Sequence, residues 1–135
     1  MALPNGAGGY EVGDGNLSEA LMGVQTIPTT LTGDTTVTAA QMATGLIVCK
    51  KASDATLTVT TATGAQLDAA ISSAKVGSCF DLTITNANDS GSSSTVPITA
   101  GTGITFYGSV TVPRLGANTY RFVRTGESAW SAFQM

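Results

Sequence analysis

Apolar side chains fall at every second position through most of this chain, and that period of two most narrows what it can fold into. Leu57 and Val59 alternate with Thr56, Thr58 and Thr60, and Phe80, Leu82 and Ile84 alternate with Asp81, Thr83 and Thr85. Val96 and Ile98, Ile104 and Phe106, Val110 and Val112, and Tyr120 and Phe122 continue the pattern. Alternate residues share a face only in a strand, so each segment offers one apolar face to a core. Leu46 to Cys49 is an unbroken apolar run suited to a strand buried on both faces. The segment Ala129 to Met135 carries Trp130 on one face and Phe133 on the other, which predicts a strand covered by the core and by a neighbour.

Turn signals separate these strands: the polar stretch Asn86 to Ser94, Gly101 and Gly103, Gly108, and Pro113-Arg114-Leu115-Gly116. Seven or eight short strands in about 100 residues predict an all-β, jelly-roll-like β-sandwich over residues 35–135. Composition agrees, since 22 Thr, 12 Ser and 16 Gly stand beside only 11% charged residues. One or two short helices interrupt the strands. Thr63-x-x-Gln66 fits a capping box ahead of Leu67, Ala70, Ile71 and Ala74, with Gly77 as a stop, and Thr38-x-x-Gln41 repeats the cap before Gly45.

Residues 1–34 lack sustained periodicity and are rich in glycine, so they read as an extended N-terminal arm without a core of its own. Tyr10, Val12, Leu17, Leu21 and Val24 nevertheless place apolar groups along it. Such residues need a partner surface, either the chain's own domain or another molecule.

Chemistry is narrowed by what is missing. The chain has no His, which excludes Ser-His-Asp and Cys-His nucleophile pairs and most transition-metal sites. A net charge of −3 provides no footprint for nucleic acid. No apolar run approaches the roughly 20 residues of a membrane helix, and the first residues carry neither a basic cluster nor an apolar h-region, so synthesis in the cytoplasm is expected. Cys49 and Cys79 read as reduced, largely buried side chains, with a disulfide as the alternative.

The remaining motifs are weak. Asp14-Gly15-Asn16 lacks the ligand order of a calcium loop, Gly101-Thr102-Gly103 has Phe106 where a dinucleotide loop needs its third glycine, and no metal or cofactor is expected. Asp54, Asp68 and Asp81 read as isolated surface carboxylates rather than a glycosidase pair. Asn16-Leu17-Ser18 and Asn88-Asp89-Ser90 match the glycosylation acceptor, but nothing routes the chain to that machinery. Ranks of Thr suggest an ice-binding face, yet no repeat of 10 to 20 residues supports a solenoid. No catalytic residue is expected.

The order of several segments resembles the small capsid decoration, or cement, proteins of tailed bacteriophages. These are 9–19 (GYEVGDGNLSE), 36–48 (TVTAAQMATGLIV), 67–86 (LDAAISSAKVGSCFDLTITN), 100–105 (AGTGIT) and 121–130 (RFVRTGESAW). The resemblance implies a non-enzymatic, jelly-roll-like virion protein, made in the host cytoplasm and carried on the capsid outer surface as a homotrimer at three-fold or quasi-three-fold points. Its partners would be the major capsid protein and itself, with neither nucleic acid nor membrane. The arm residues Tyr10, Val12, Leu17, Leu21 and Val24 would then clamp the capsid, and Trp130 and Phe133 would lie at the subunit interface. Two other readings stay open: a head-fibre or tail appendage that binds a receptor or glycan through Tyr107 and the Asn86 to Ser94 loop, and a host-derived adhesin or sandwich domain unrelated to virions.

Overall fold

The two Thr-x-x-Gln caps fold as their spacing predicts, and they mark equivalent points in the chain's path. In the computed structural model, which describes residues 23–51, 56–89 and 94–135, Thr38 caps α1 (Ala39–Ala43) and Thr63 caps α2 (Gly64–Ala70). In each, the threonine hydroxyl accepts from the glutamine backbone N–H while the glutamine side chain accepts from the threonine N–H. Two donors that a helix start leaves open are thereby satisfied. Gly45 and Gly77 follow the two helices at φ +83° and +92°, conformations that glycine adopts without strain.

Around these helices the chain winds between two sheets. The strands are β1 (Thr29–Leu31), β2 (Thr35–Thr36), β3 (Leu46–Cys49), β4 (Val59–Thr60), β5 (Cys79–Asn86), β6 (Val96–Thr99), β7 (Ile104–Tyr107), β8 (Thr111–Val112), β9 (Ala117–Gly126) and β10 (Ala129–Gln134). One sheet has the order β1-β3-β5-β9-β10-β7 and the other β2-β4-β6-β8. The expected all-β sandwich with two short helices is what the structure has.

Strand direction within it departs from the antiparallel pattern of a jelly roll. β1, β3 and β5 are parallel, as are β2, β4 and β6, because the chain changes sheets after each strand and returns alongside the earlier one. Parallel neighbours need a long crossover, and here the opposite sheet supplies it. Three such coils stack, but their spacing is irregular. Thr29 pairs with Ile47, 18 residues on, whereas Leu46 pairs with Thr83, 37 residues on. No fixed repeat could appear in the sequence.

The C-terminal part closes the coil. β7 returns to the six-stranded sheet, but the antiparallel hairpin β9–β10 lies between it and β5. β8 closes the smaller sheet antiparallel to β6. β1 corrects the expectation that every strand lies beyond residue 35. Three residues between Pro28 and Gly33 are too few to display an alternation.

The two sheets face each other across one core. Trp130, Tyr120, Phe122, Met42, Leu67 and Leu82 are fully buried there, and Phe80 and Phe106 pack against them. The Phe80 and Phe122 rings stack at 5.1 Å, and Phe106 meets Tyr120 and Phe122 edge-on. β3 is buried on one face only: Ile47 and Cys49 point inward, and Leu46 and Val48 lie half-buried on the other side. Its apolar run arises because the outer face is also apolar, not because a second layer covers it. Among the described residues no helix is long and apolar enough to cross a membrane.

Candidate functional site

Alternation along the six-stranded sheet sorts its side chains into a core face and an outer face, and the register aligns the outer ones in rows. Tyr107, Phe133, Arg121 and Asp81 form one row across β7, β10, β9 and β5. The rings of Tyr107 and Phe133 stack at 5.0 Å with 9° between their planes, yet they remain 54% and 41% exposed. Met135, 65% exposed, is held beside Phe133 by its N–H donating to the Thr119 carbonyl. This corner is an exposed apolar cluster on the outer face of the larger sheet. Next to it Arg121 donates both Nε and an Nη to the Asp81 carboxylate, at 2.8 and 3.0 Å. Those bonds, together with the arginine's charge, hold the Asp81 carboxyl below its ordinary range.

Phe133 thus lies where a subunit interface could use it, but Trp130 does not. Trp130 is only 1% exposed in a single chain and belongs to the chain's own core. The alternation places the two on opposite faces, as read, but it cannot say which face the rest of the chain closes. The Trp130 indole N–H donates to Asp68 at 2.8 Å, and the same carboxylate accepts two bonds from Arg124 and one from the Ser128 N–H. Arg124's hydrogen bonds, then Ser128's, hold the Asp68 carboxyl well below the usual carboxylate range. Asp68 is therefore no isolated surface charge but the point at which α2 is tied to the β9–β10 hairpin. Its partners stand 56 to 62 residues away, so no local sequence signal marks it.

Of the arm residues, Tyr10, Val12, Leu17 and Leu21 lie outside the described residues. Val24 lies within them and is fully exposed, at 102%, and Ile27 is 89% exposed. The Gln25 side-chain amide donates to the Thr44 carbonyl at 2.7 Å, fastening this stretch beside the end of α1. Neither apolar side chain is covered by the domain. Within residues 23–27, then, Gln25 is tied to the domain while Val24 and Ile27 face outward.

The inward-facing polar groups serve the fold. Cys49, Lys51, Leu57, Asn86, Asn88, Ser94 and Val96 line a depression with no room for a water-sized molecule, so it is no ligand pocket. Asn86 donates there to the carbonyls of Ser94 and Val112, and Asn88 donates to the Ser94 hydroxyl. The Gly101 to Gly103 turn is likewise occupied by the fold: the Gly101 N–H donates to the Thr61 hydroxyl, the Thr102 carbonyl accepts from Gly64 and the Gly103 carbonyl from Trp130. Among the described residues no three His, Cys, Asp or Glu side chains are placed to hold a metal ion. Cys79 is exposed rather than buried, and Cys49 faces the core, where burial pushes its thiol up to about 11.

No family model, curated protein or solved structure matches this chain. Fold and surface together define a small two-sheet β domain with exposed apolar groups at Val24 and Ile27, at the Tyr107, Phe133 and Met135 corner of the larger sheet, and singly at Val76, Val110 and Leu115.

Proposed function

We propose that this protein is a non-enzymatic structural component of a tailed-phage virion, one that decorates and stabilises the outer capsid surface by binding the major capsid protein. The observation that carries this reading is the pair Val24 and Ile27, fully or nearly fully exposed on a stretch that Gln25 fastens to the domain. Burying such side chains against a partner stabilises a complex by roughly 25 cal/mol per Å² of apolar area, before ordering costs. The segment resemblance to decoration proteins supports the same conclusion. Many copies on one shell turn a modest contact into firm attachment.

The corner formed by Tyr107, Phe133 and Met135 supports a homotrimer, set at three-fold or quasi-three-fold points of the shell. A second reading, a fibre or tail appendage that binds a receptor or glycan, draws on the same exposed Tyr107. A glycan array separates it from the first.

The test uses shells stripped of the protein, mixed with full-length chain or with a form lacking residues 1–27, and then pelleted. The deletion stops short of β1, so the fold should survive while co-pelleting collapses. Equal pelleting of both forms overturns the arm as the capsid contact. Sedimentation of the free protein checks the trimer, and a monomer at micromolar concentration refutes it.

A further inference from the structure

Pro113-Arg114-Leu115-Gly116 forms the turn between β8 and β9, with the Gly116 N–H donating to the Pro113 carbonyl at 3.0 Å. Its third residue, Leu115, has φ +53°. Left-handed backbone at that position of a turn belongs to Gly or Asn, because a larger side chain brings its Cβ against the following carbonyl. The domain gives the leucine nothing in return, since Leu115 is 59% exposed. Ser128, the other described non-glycine residue with positive φ, differs: its N–H donates to Asp68, and its carbonyl lies against Gly64 and Gly103. Strain at Ser128 serves the fold, whereas an exposed leucine on a strained turn has no such use among the described residues. Beside it, Arg114 donates an Nη to the Asp89 carbonyl at 2.8 Å and, among the described residues, pairs with no carboxylate.

We infer that Leu115 is a docking knob, held out on its turn to enter an apolar socket of the partner protein, and that a carboxylate at the rim of the socket meets Arg114. This rests on the capsid-binding reading and adds a second contact to that of Val24 and Ile27. One partner can reach both. The Thr83 N–H donates to the Gly45 carbonyl and the Asn86 N–H to the Gly116 carbonyl. The end of α1, where Gln25 is fastened, and the turn are therefore anchored on β5 roughly 10 Å apart along the strand. An interface of standard size, roughly 800 Å² a side, covers both points. The closed turn fixes the leucine before it docks, so less freedom is lost on binding. The arginine fork adds direction, because its remaining N–H groups match the two oxygens of a carboxylate.

Stripped shells are pelleted with the wild-type chain, with L115N, with R114Q and with V24S/I27S, and each protein is also unfolded thermally. Asn accepts the left-handed backbone, so L115N should melt at or above the wild-type temperature. It should nevertheless bind about tenfold more weakly, for want of one buried leucine. R114Q should melt as the wild type does and bind about fivefold more weakly. A fall of more than about 3 °C in the Tm of L115N would show that the leucine packs for the fold and refute the inference. Wild-type binding by L115N or R114Q refutes it too, and if V24S/I27S fails in the same experiment the capsid reading survives without the socket. Should the wild-type chain fail to pellet with shells, the capsid reading falls and this inference with it.

Discussion

Replacing Gly64 by Ala tests the tightest glycine position among the described residues. Gly64 is the first residue of α2, and a Cβ built there would lie 2.0 Å from the Ser128 carbonyl oxygen and 2.5 Å from its carbon. Ordinary contact begins near 3.4 Å, so helix and hairpin would have to separate by about 1.4 Å. Ser128 has little freedom to retreat. Its φ is +52°, its N–H is bonded to Asp68 at 2.8 Å, and Gly103 approaches the same carbonyl so closely that a Cβ there would lie 2.2 Å away. The neighbouring Trp130 N–H is bonded to Gly103 at 2.9 Å. Overpacking of this kind costs roughly 1–3 kcal/mol, and a strained backbone hydrogen bond adds about 1. Against this, Ala in place of Gly favours the helix by about 1 kcal/mol at most. The net loss is about 1–3 kcal/mol, or about 4–12 °C in Tm for a chain of this length. The other capped helix supplies the control: Ala39 holds the equivalent first position of α1, and Ala39→Gly should cost only about 1 kcal/mol. Thermal and urea unfolding of both variants decide the matter. A G64A protein within about 2 °C of wild type would refute the placement of the hairpin tip over α2.

Two further outcomes follow from the side-chain chemistry. Because the Asp68 carboxyl is held below its unfolded value of about 4, the stability it confers is present above that pH and is lost as pH falls toward the folded value. Asp68→Asn should therefore lower Tm at pH 7 and flatten the decline below about pH 4; an unchanged acid slope in thermal scans refutes the role given to Asp68. Cys79 should react with a thiol reagent in the native protein and Cys49 only after unfolding. Cys49 pairs with Asn86, seven positions along β5 from Cys79 and so roughly 23 Å away, too far for a disulfide; failure to label either thiol in the unfolded, unreduced chain refutes this.

Local chemistry was legible and long-range direction was not. Thr38 and Thr63 declared both helix starts because a capping box is complete within four residues. Leu57, Val59, Leu82, Ile84 and Phe122 turn inward as their alternation requires. Alternation is the same in parallel and antiparallel strands, however, so it could not reveal that β1, β3 and β5 run together. The two-residue strands β2, β4 and β8 are too short to carry a period at all. One signal was available: Thr36-Val37-Thr38-Ala39-Ala40-Gln41-Met42 is echoed by Thr61-Ala62-Thr63-Gly64-Ala65-Gln66-Leu67, and two copies of a strand-to-helix joint imply successive turns of one coil. For the candidate site, the sequence located Phe133 and Val24 at the surface, but it also placed Trp130 there. Only the distant partners of Trp130 determine that it is enclosed.

The position of the β9–β10 hairpin sets an order on biosynthesis. β7 ends at Tyr107, but the strand that pairs with it, β10, ends at Gln134. At 5–20 residues per second the ribosome needs roughly 1–5 s to add the intervening stretch. During that interval Ile104 and Phe106 lack their neighbours, and the larger sheet has a gap beside β5. Polysomes crowd nascent chains that are all at this stage, and an open strand edge can pair with the same edge on the next chain. Expression yield should therefore depend on how quickly the final codons are read, because slow codons after Tyr107 lengthen the interval in which nascent chains can aggregate.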